Sequence, residues 1–330
     1  MLKSPLRNLT GDNISEEIAI TVLETVKRTE EQDESSFLSR IGLVPLGLFM
    51  VALGVILRHI DVFVFSLGST WMNILPCKVI SLAVLIGVFW MCRRDQVGPI
   101  LGLTNSNLKA NLLVGTILGL GMYFCINVLS MILYFFIEPS VTLQFSILIG
   151  PELLAYTFIF FAINAVYEEG LFRGLLQNGF RKRYGARTGI LFSAAIFGVW
   201  HLVWPVHTYF TKGYFPVGDA VVMVVFSGLL GIVFGVCYEK FTSRVSLIGP
   251  IAAHTLLNYF NESFKVALDT VVQGPDLSFV SPTHMALGLS IALLTFASCI
   301  GFFWKFRLEQ VVLVSGNLLK RDLLGLQKER

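Results

Sequence analysis

The sequence predicts an all-α, polytopic membrane protein with about eight transmembrane helices in a compact bundle. Of its 330 residues, 55% are hydrophobic and only 14% are charged. The apolar residues fall in repeated blocks long enough to cross a hydrocarbon core of about 30 Å. Glycines four residues apart within three blocks also indicate helices that pack closely. These pairs are Gly115 and Gly119, Gly170 and Gly174, and Gly231 and Gly235.

Eight apolar blocks define the predicted spans. They lie near Leu38 to Leu57, Trp71 to Met91, Leu112 to Ile137, Pro151 to Phe172, Gly189 to Val206, Ala220 to Tyr238, Leu247 to Phe260 and Met285 to Trp304. We therefore expect a membrane domain over residues 38–305. A polar amino-terminal segment, 1–37, precedes it, and a tail, 306–330, follows it.

Basic residues concentrate in the loops after the second, fourth and sixth blocks. They are Arg93, Arg94, Lys109, Arg181, Lys182, Arg183, Arg187, Lys240 and Arg244. By the positive-inside rule, these loops and both termini lie in the cytosol. Because the net charge is only +3, this distribution indicates membrane topology, so we expect lipid and not nucleic acid as a partner.

The polar amino-terminal segment contains one helical pattern. Asn13 to Arg28 carries apolar residues at helical spacing, and Asn13 and Glu16 are spaced like a capping box. We expect a short cytosolic amphipathic helix that docks on the bundle or lies on the membrane. Because no apolar region follows a basic start, we expect no cleavable signal peptide before this stretch.

Three polar motifs interrupt the later apolar blocks. The fourth block ends in EEGLFRG, the fifth contains FGVWH and the seventh contains HTLLN. Residues four apart share a helix face, and the helical rise places all three motifs about 20 Å from the nearest basic loop. Inserting one charged side chain at such a depth costs about 3 kcal/mol of free energy. We therefore expect these groups to have binding partners and a functional role. The residues concerned are Glu168, Glu169, Arg173, Phe197, His201, His254 and Asn258.

These residue types fit peptide hydrolysis without a covalent intermediate. A carboxylate and a neutral imidazole can hold a water molecule and remove its proton as it attacks a carbonyl. A second imidazole and a carboxamide can stabilise the developing oxyanion. Because Arg173 can neutralise Glu169, Glu168 is left as the carboxylate that acts.

A metal mechanism is the alternative within the same site. One glutamate and two histidines are possible zinc ligands, but the H-E-x-x-H helix of metalloproteases is absent. We therefore expect no cofactor, with zinc as the less favoured option.

The motifs E-E-x-x-x-R, F-x-x-x-H and H-x-x-x-N, in this order, resemble those of the CAAX protease and bacteriocin-processing (CPBP, or Abi) family. This family includes the type II CAAX prenyl endopeptidases, and the resemblance covers about residues 150–260. It implies an intramembrane glutamic endopeptidase with an eight-helix core. It makes Glu168 the base together with His201, and Asn258 the oxyanion partner with help from His254. Glu169 and Arg173 would support the site, and Phe197 would pack beneath His201.

The sequence constrains the substrate and the host organism less than it constrains the fold and the reaction class. The resemblance implies a peptide or lipidated-protein substrate, such as a prenylated CAAX protein that loses its last three residues. The absence of an organelle-targeting or retention signal favours a prokaryotic cell membrane over the endoplasmic reticulum. The alternative function is a non-catalytic self-immunity factor or an ion-coupled transporter that uses the same charges. The lack of an internal repeat counts against the transporter.

Overall fold

The computed structural model describes residues 42–65, 71–93, 97–104, 107–139, 144–267 and 281–308. Within these ranges, six helices are long and apolar enough to cross a membrane. They are Leu43–Phe65, Ile74–Met91, Leu108–Ile137, Ala186–Lys212, Val217–Phe241 and Pro282–Lys305. The protein is therefore an all-α, integral, multi-pass membrane protein. The amphipathic helix predicted near residues 13–28 lies outside the described residues, as do residues 309–330.

The described residues form twelve α-helices. In chain order they are α1 Leu43–His59, α2 Trp71–Arg93, α3 Val97–Ile100, α4 Leu108–Tyr123, α5 Ser130–Ile137, α6 Leu154–Glu169, α7 Asn178–Tyr184, α8 Ala186–Trp200, α9 Val203–Lys212, α10 Val217–Val236, α11 Ile248–Ser263 and α12 Pro282–Lys305.

Irregular segments extend several of these helices. π-Helical segments follow α1, α4, α6 and α10, and a 3₁₀ turn precedes α6. Strands β1 (Gln144–Ile147) and β2 (Phe264–Ala267) form a two-stranded antiparallel sheet, with Gln144 opposite Ala267. The π-helical segments are Ile60–Phe65, Phe124–Leu129, Gly170–Gln177 and Cys237–Phe241, and the 3₁₀ turn is Pro151–Leu153.

Helices α6 and α11 differ from the six apolar spans. They correspond to the predicted spans Pro151 to Phe172 and Leu247 to Phe260, which carry the first and third motifs. Helix α11 has only 16 residues and packs against both α4 and α6. Helix α11 is shorter than the six spans, and α6 ends in the two buried glutamates of the first motif. The predicted count of eight spans is therefore approximate.

Glycines allow α4 to approach α11 closely, as the spacing predicted. A Cβ atom at Gly119 would lie 2.6 Å from the carbonyl oxygen of Ala253. A Cβ atom at Gly115 would likewise collide with the backbone of Gly249. Since Ala253 directly precedes His254, this contact fixes the part of α11 that carries the third motif.

The fifth predicted span is interrupted at His201. Helix α8 ends at Trp200, and α9 begins at Val203 and continues to Lys212. Pro205 has no N–H group, and its ring conflicts with a helical carbonyl at residue 201. The carbonyl of His201 instead accepts a hydrogen bond from the N–H of Trp204 at 3.4 Å, and the N–H of His201 donates to the carbonyl of Gly198 at 3.1 Å. Pro205 itself lies within α9, and the break falls one turn before it.

Candidate active site

Two adjacent glutamates end helix α6, and both are buried. Glu168 is 3% exposed and Glu169 is 0% exposed, while Arg173, in the following π-helical segment, is 1% exposed. Successive helical residues point about 100° apart, so the two carboxylates meet different neighbours. This separation gives each glutamate its own set of partners.

Glu169 is held by two basic side chains. Its Oε1 atom accepts hydrogen bonds from Nη1 of Arg173 at 3.1 Å and from Nδ1 of His254 at 2.8 Å. The predicted ion pair between Glu169 and Arg173 is therefore present in the structure. Because the pair also binds His254, it joins the first motif to the third.

Glu168 lies between three other helices. Its Oε1 atom accepts hydrogen bonds from Nζ of Lys78 on α2 at 3.2 Å and from Nε1 of Trp200 on α8 at 3.3 Å. Its Oε2 atom lies 3.7 Å from Nε2 of His254 on α11. That separation exceeds a direct hydrogen bond, so Oε2 is the less constrained of the two oxygens.

The hydrogen bonds of His254 define its orientation. Because a carboxylate only accepts, Nδ1 carries the hydrogen that is donated to Glu169. Nε2 then faces Glu168. The ring stacks on Phe234, with 5.4 Å between centroids and 27° between planes. His254 is thus fixed between the two glutamates and an aromatic ring.

His201 lies in the break between α8 and α9. Its Nδ1 atom donates to the backbone carbonyl of Phe197 at 2.8 Å. In the neutral ring, Nε2 therefore remains a hydrogen-bond acceptor. The ring is half-buried and is close enough to Glu168 for an electrostatic interaction between the two side chains.

The ring of Phe197 lies at the centre of the predicted set. It contacts His201 edge to face at 4.8 Å and His254 at 6.1 Å between centroids. The guanidinium carbon of Arg173 lies 4.3 Å from the centroid of the same ring. Phe197 packs against His201 as expected, and it also fills the space between both histidines and Arg173.

Asn258 is the predicted residue with the loosest connection to the others. It lies one turn after His254 on α11 and is half-buried. Residues four apart share a helix face, so both belong to the side of α11 that carries the third motif. No hydrogen bond joins the Asn258 carboxamide to the other six predicted residues.

Lys78 and Trp200 contact the site but were missed from the sequence. The partner of Lys78 lies 90 residues further along the chain, so no motif spacing links the two. One signal was available: Lys78 is the only charged residue between Trp71 and Met91. An ionisable residue inside an apolar span is by default a candidate functional residue.

The described residues contain no group of three or more His, Cys, Asp or Glu side chains arranged to hold a metal ion. Lys78 and Arg173 each bind one of the two glutamates. Zinc dependence can be tested by measuring cleavage with and without a chelator.

Comparison with known proteins identifies the region that carries the motifs. Residues 150–260 match the family described as Type II CAAX prenyl endopeptidase Rce1-like. The match begins just before α6 and ends within α11, so it contains all three motifs. No curated protein and no solved structure matches the chain. Residues 150–260 are therefore similar to the Rce1-like family of type II CAAX prenyl endopeptidases.

Proposed function

We propose that the protein is an intramembrane glutamic endopeptidase in which Glu168 and His201 activate a water molecule. The observation that carries this proposal is the position of Oε2 of Glu168, which faces Nε2 of His254. Glu169 also has one oxygen without a hydrogen bond from the described residues, but its side chain is completely buried and paired with Arg173. Oε1 of Glu168 accepts two hydrogen bonds, whereas its Oε2 accepts none from the described residues and faces His254 at 3.7 Å. An oxygen with a free lone pair in a buried site is suited to accept a proton from water.

In this mechanism, water lies between Oε2 of Glu168 and Nε2 of His201. Glu168 removes a proton as the water oxygen attacks the scissile carbonyl carbon, which forms a tetrahedral intermediate. The carbon–nitrogen bond then breaks, and the proton passes to the leaving amine. Each turnover consumes one water molecule and returns both residues to their starting state.

Asn258 and His254 would stabilise the negative oxygen of the intermediate. The carboxamide of Asn258 has two N–H donors, and a protonated His254 can donate from Nε2 while Nδ1 remains bound to Glu169. Donors held in place in a site that excludes water are effective in this role. Glu169 and Arg173 support the reaction by fixing His254.

The substrate that we propose is a prenylated CAAX protein, cleaved after the lipidated cysteine. The family match supports a peptide substrate, and a lipid-modified peptide would partition into the membrane that surrounds the site. The proposal places the basic loops and both termini in the cytosol of a prokaryotic cell. A CAAX protein would then reach the site from the cytosolic leaflet.

Mass spectrometry of a farnesylated CAAX peptide tests the proposal. Purified wild type and Glu168→Gln are incubated with the peptide, with and without a chelator. We expect loss of the last three residues with wild type only, and no effect of the chelator. Equal cleavage by Glu168→Gln would overturn the proposed base, and inhibition by the chelator would support a zinc mechanism.

One observation favours a second, non-catalytic function. The buried groups form a continuous series from Lys78 through Glu168, His254 and Glu169 to Arg173. A proton relay in a transporter, or a structural network in an immunity factor, would need such a series. Proton uptake by proteoliposomes that cleave no peptide would support this alternative.

A further inference from the structure

Lys78 is buried inside the bundle next to the proposed base. It is 9% exposed and lies on α2, outside the segment that matches the family. Its Nζ atom lies 3.2 Å from Oε1 of Glu168 and 5.8 Å from the ring centroids of both Tyr167 and Trp200. The ammonium group is therefore surrounded by one carboxylate and two aromatic rings.

A second donor reaches the same carboxylate oxygen. Nε1 of Trp200 lies 3.3 Å from Oε1 of Glu168. A carboxylate oxygen has two lone pairs, so Lys78 and Trp200 together occupy the hydrogen-bonding capacity of Oε1. Because the donors come from α2 and α8, rotation of the carboxylate would break bonds to two different helices. Oε2 is thereby kept towards His254.

We infer that Lys78, together with Trp200, is a positioning residue that fixes the Glu168 carboxylate so that Oε2 faces the reacting water. This inference rests on the proposed function, because it assigns the two residues to the orientation of the proposed base. Lys78 does not contact the substrate in this arrangement. Its removal should therefore affect the chemical step more than substrate binding.

Steady-state kinetics on the farnesylated peptide test this role. We expect Lys78→Met to lower kcat by about 100-fold with little change in KM, since small displacements of a catalytic group cost about this much. Lys78→Arg keeps a cationic donor and should recover part of the lost kcat. An unchanged kcat in Lys78→Met, or a higher KM with normal kcat, would overturn the inference.

Trp200→Phe provides a milder test if Lys78→Met fails to fold. The substitution keeps an aromatic ring and removes only the Nε1 donor. Loss of one hydrogen bond to the charged carboxylate predicts a decrease of about 10- to 100-fold in kcat. A folded Trp200→Phe protein with wild-type kcat would contradict the proposed second donor.

A thermal-unfolding cycle tests the pair without any cleavage assay. Lys78→Met should lower the unfolding temperature of wild type, because it leaves the Glu168 charge buried and unpaired. In a Glu168→Gln background, the same substitution should lower the unfolding temperature much less. Equal effects in both backgrounds would show that Lys78 and Glu168 are not coupled.

Arg181→Met is the matched control. Arg181 lies in α7 and pairs with the buried Glu239 at 2.8 Å. We expect Arg181→Met to lower the unfolding temperature equally in the wild-type and Glu168→Gln backgrounds. If wild type itself cleaves no peptide, the proposed function fails, while the cycle still decides whether Lys78 and Glu168 form a pair.

Discussion

Nδ1 of His254 donates a hydrogen bond to Oε1 of Glu169 at 2.8 Å, while Nε2 of the same ring faces the other glutamate. The contact joins α11 to α6 and makes the two glutamates unequal. Glu169 is bound directly by His254 and Arg173. Each glutamate has one oxygen without a direct hydrogen bond from the described residues, but that of Glu168 faces Nε2 of His254 at 3.7 Å. Adjacent residues of the same type are thereby suited to different tasks, one structural and one chemical.

The first prediction concerns Glu168→Gln. Glutamine keeps the size and much of the hydrogen bonding of the side chain but removes the base. We expect cleavage to fall by at least about 100-fold, with a folded, monodisperse protein on size-exclusion chromatography. Glu152→Gln is the matched control, since Glu152 is exposed at the start of α6. Residual activity of Glu168→Gln near the level of this control would argue against the proposed base.

The second prediction concerns the ion pair between Glu169 and Arg173. Breaking a buried pair from one side costs about 3–5 kcal/mol, because the remaining charge is left without a partner. Arg173→Ala should therefore lower the unfolding temperature in detergent markedly. Arg183→Ala, at an exposed position, should change stability by no more than about 0.5 kcal/mol. Full activity and stability in Glu169→Gln and Arg173→Ala would rule out their supporting role.

The class of the fold and the motif residues could be predicted because their signals are local. Hydropathy blocks indicate spans, and four-residue spacing places Glu169 beside Arg173 and Phe197 beside His201. Neither signal shows which helix faces reach each other across the bundle. Lys78 was missed for this reason, since α2 brings it to Glu168 from 90 residues away. The count of spans was approximate because hydropathy blocks do not show where a helix ends, and α11 has only 16 residues.

The third prediction concerns Asn258. If its carboxamide stabilises the oxyanion, the interaction strengthens only in the transition state. Asn258→Ala should then lower kcat by about 100- to 1,000-fold and leave KM nearly unchanged. Steady-state kinetics on the farnesylated peptide give both constants. An increase in KM with normal kcat would place Asn258 in ground-state substrate binding instead.

The fourth prediction concerns Pro205, which lies one turn after the break between α8 and α9. The ring of Pro205 prevents a continuous helix through residue 201, and this break places His201 in a turn. Pro205→Ala restores an N–H group that can bond the carbonyl of His201, so α8 and α9 can join. We expect the helix to become continuous, His201 to move away from Glu168, and kcat to fall by about 100-fold.

The stability of Pro205→Ala distinguishes this explanation from general damage to the fold. A more regular helix should keep the unfolding temperature at or above that of wild type, although the activity is lost. A Pro205→Ala protein with lower stability and normal kcat would contradict the role of the break. Lost activity with retained stability would show that the helix break positions His201 for activity, although it removes hydrogen bonds within the helix.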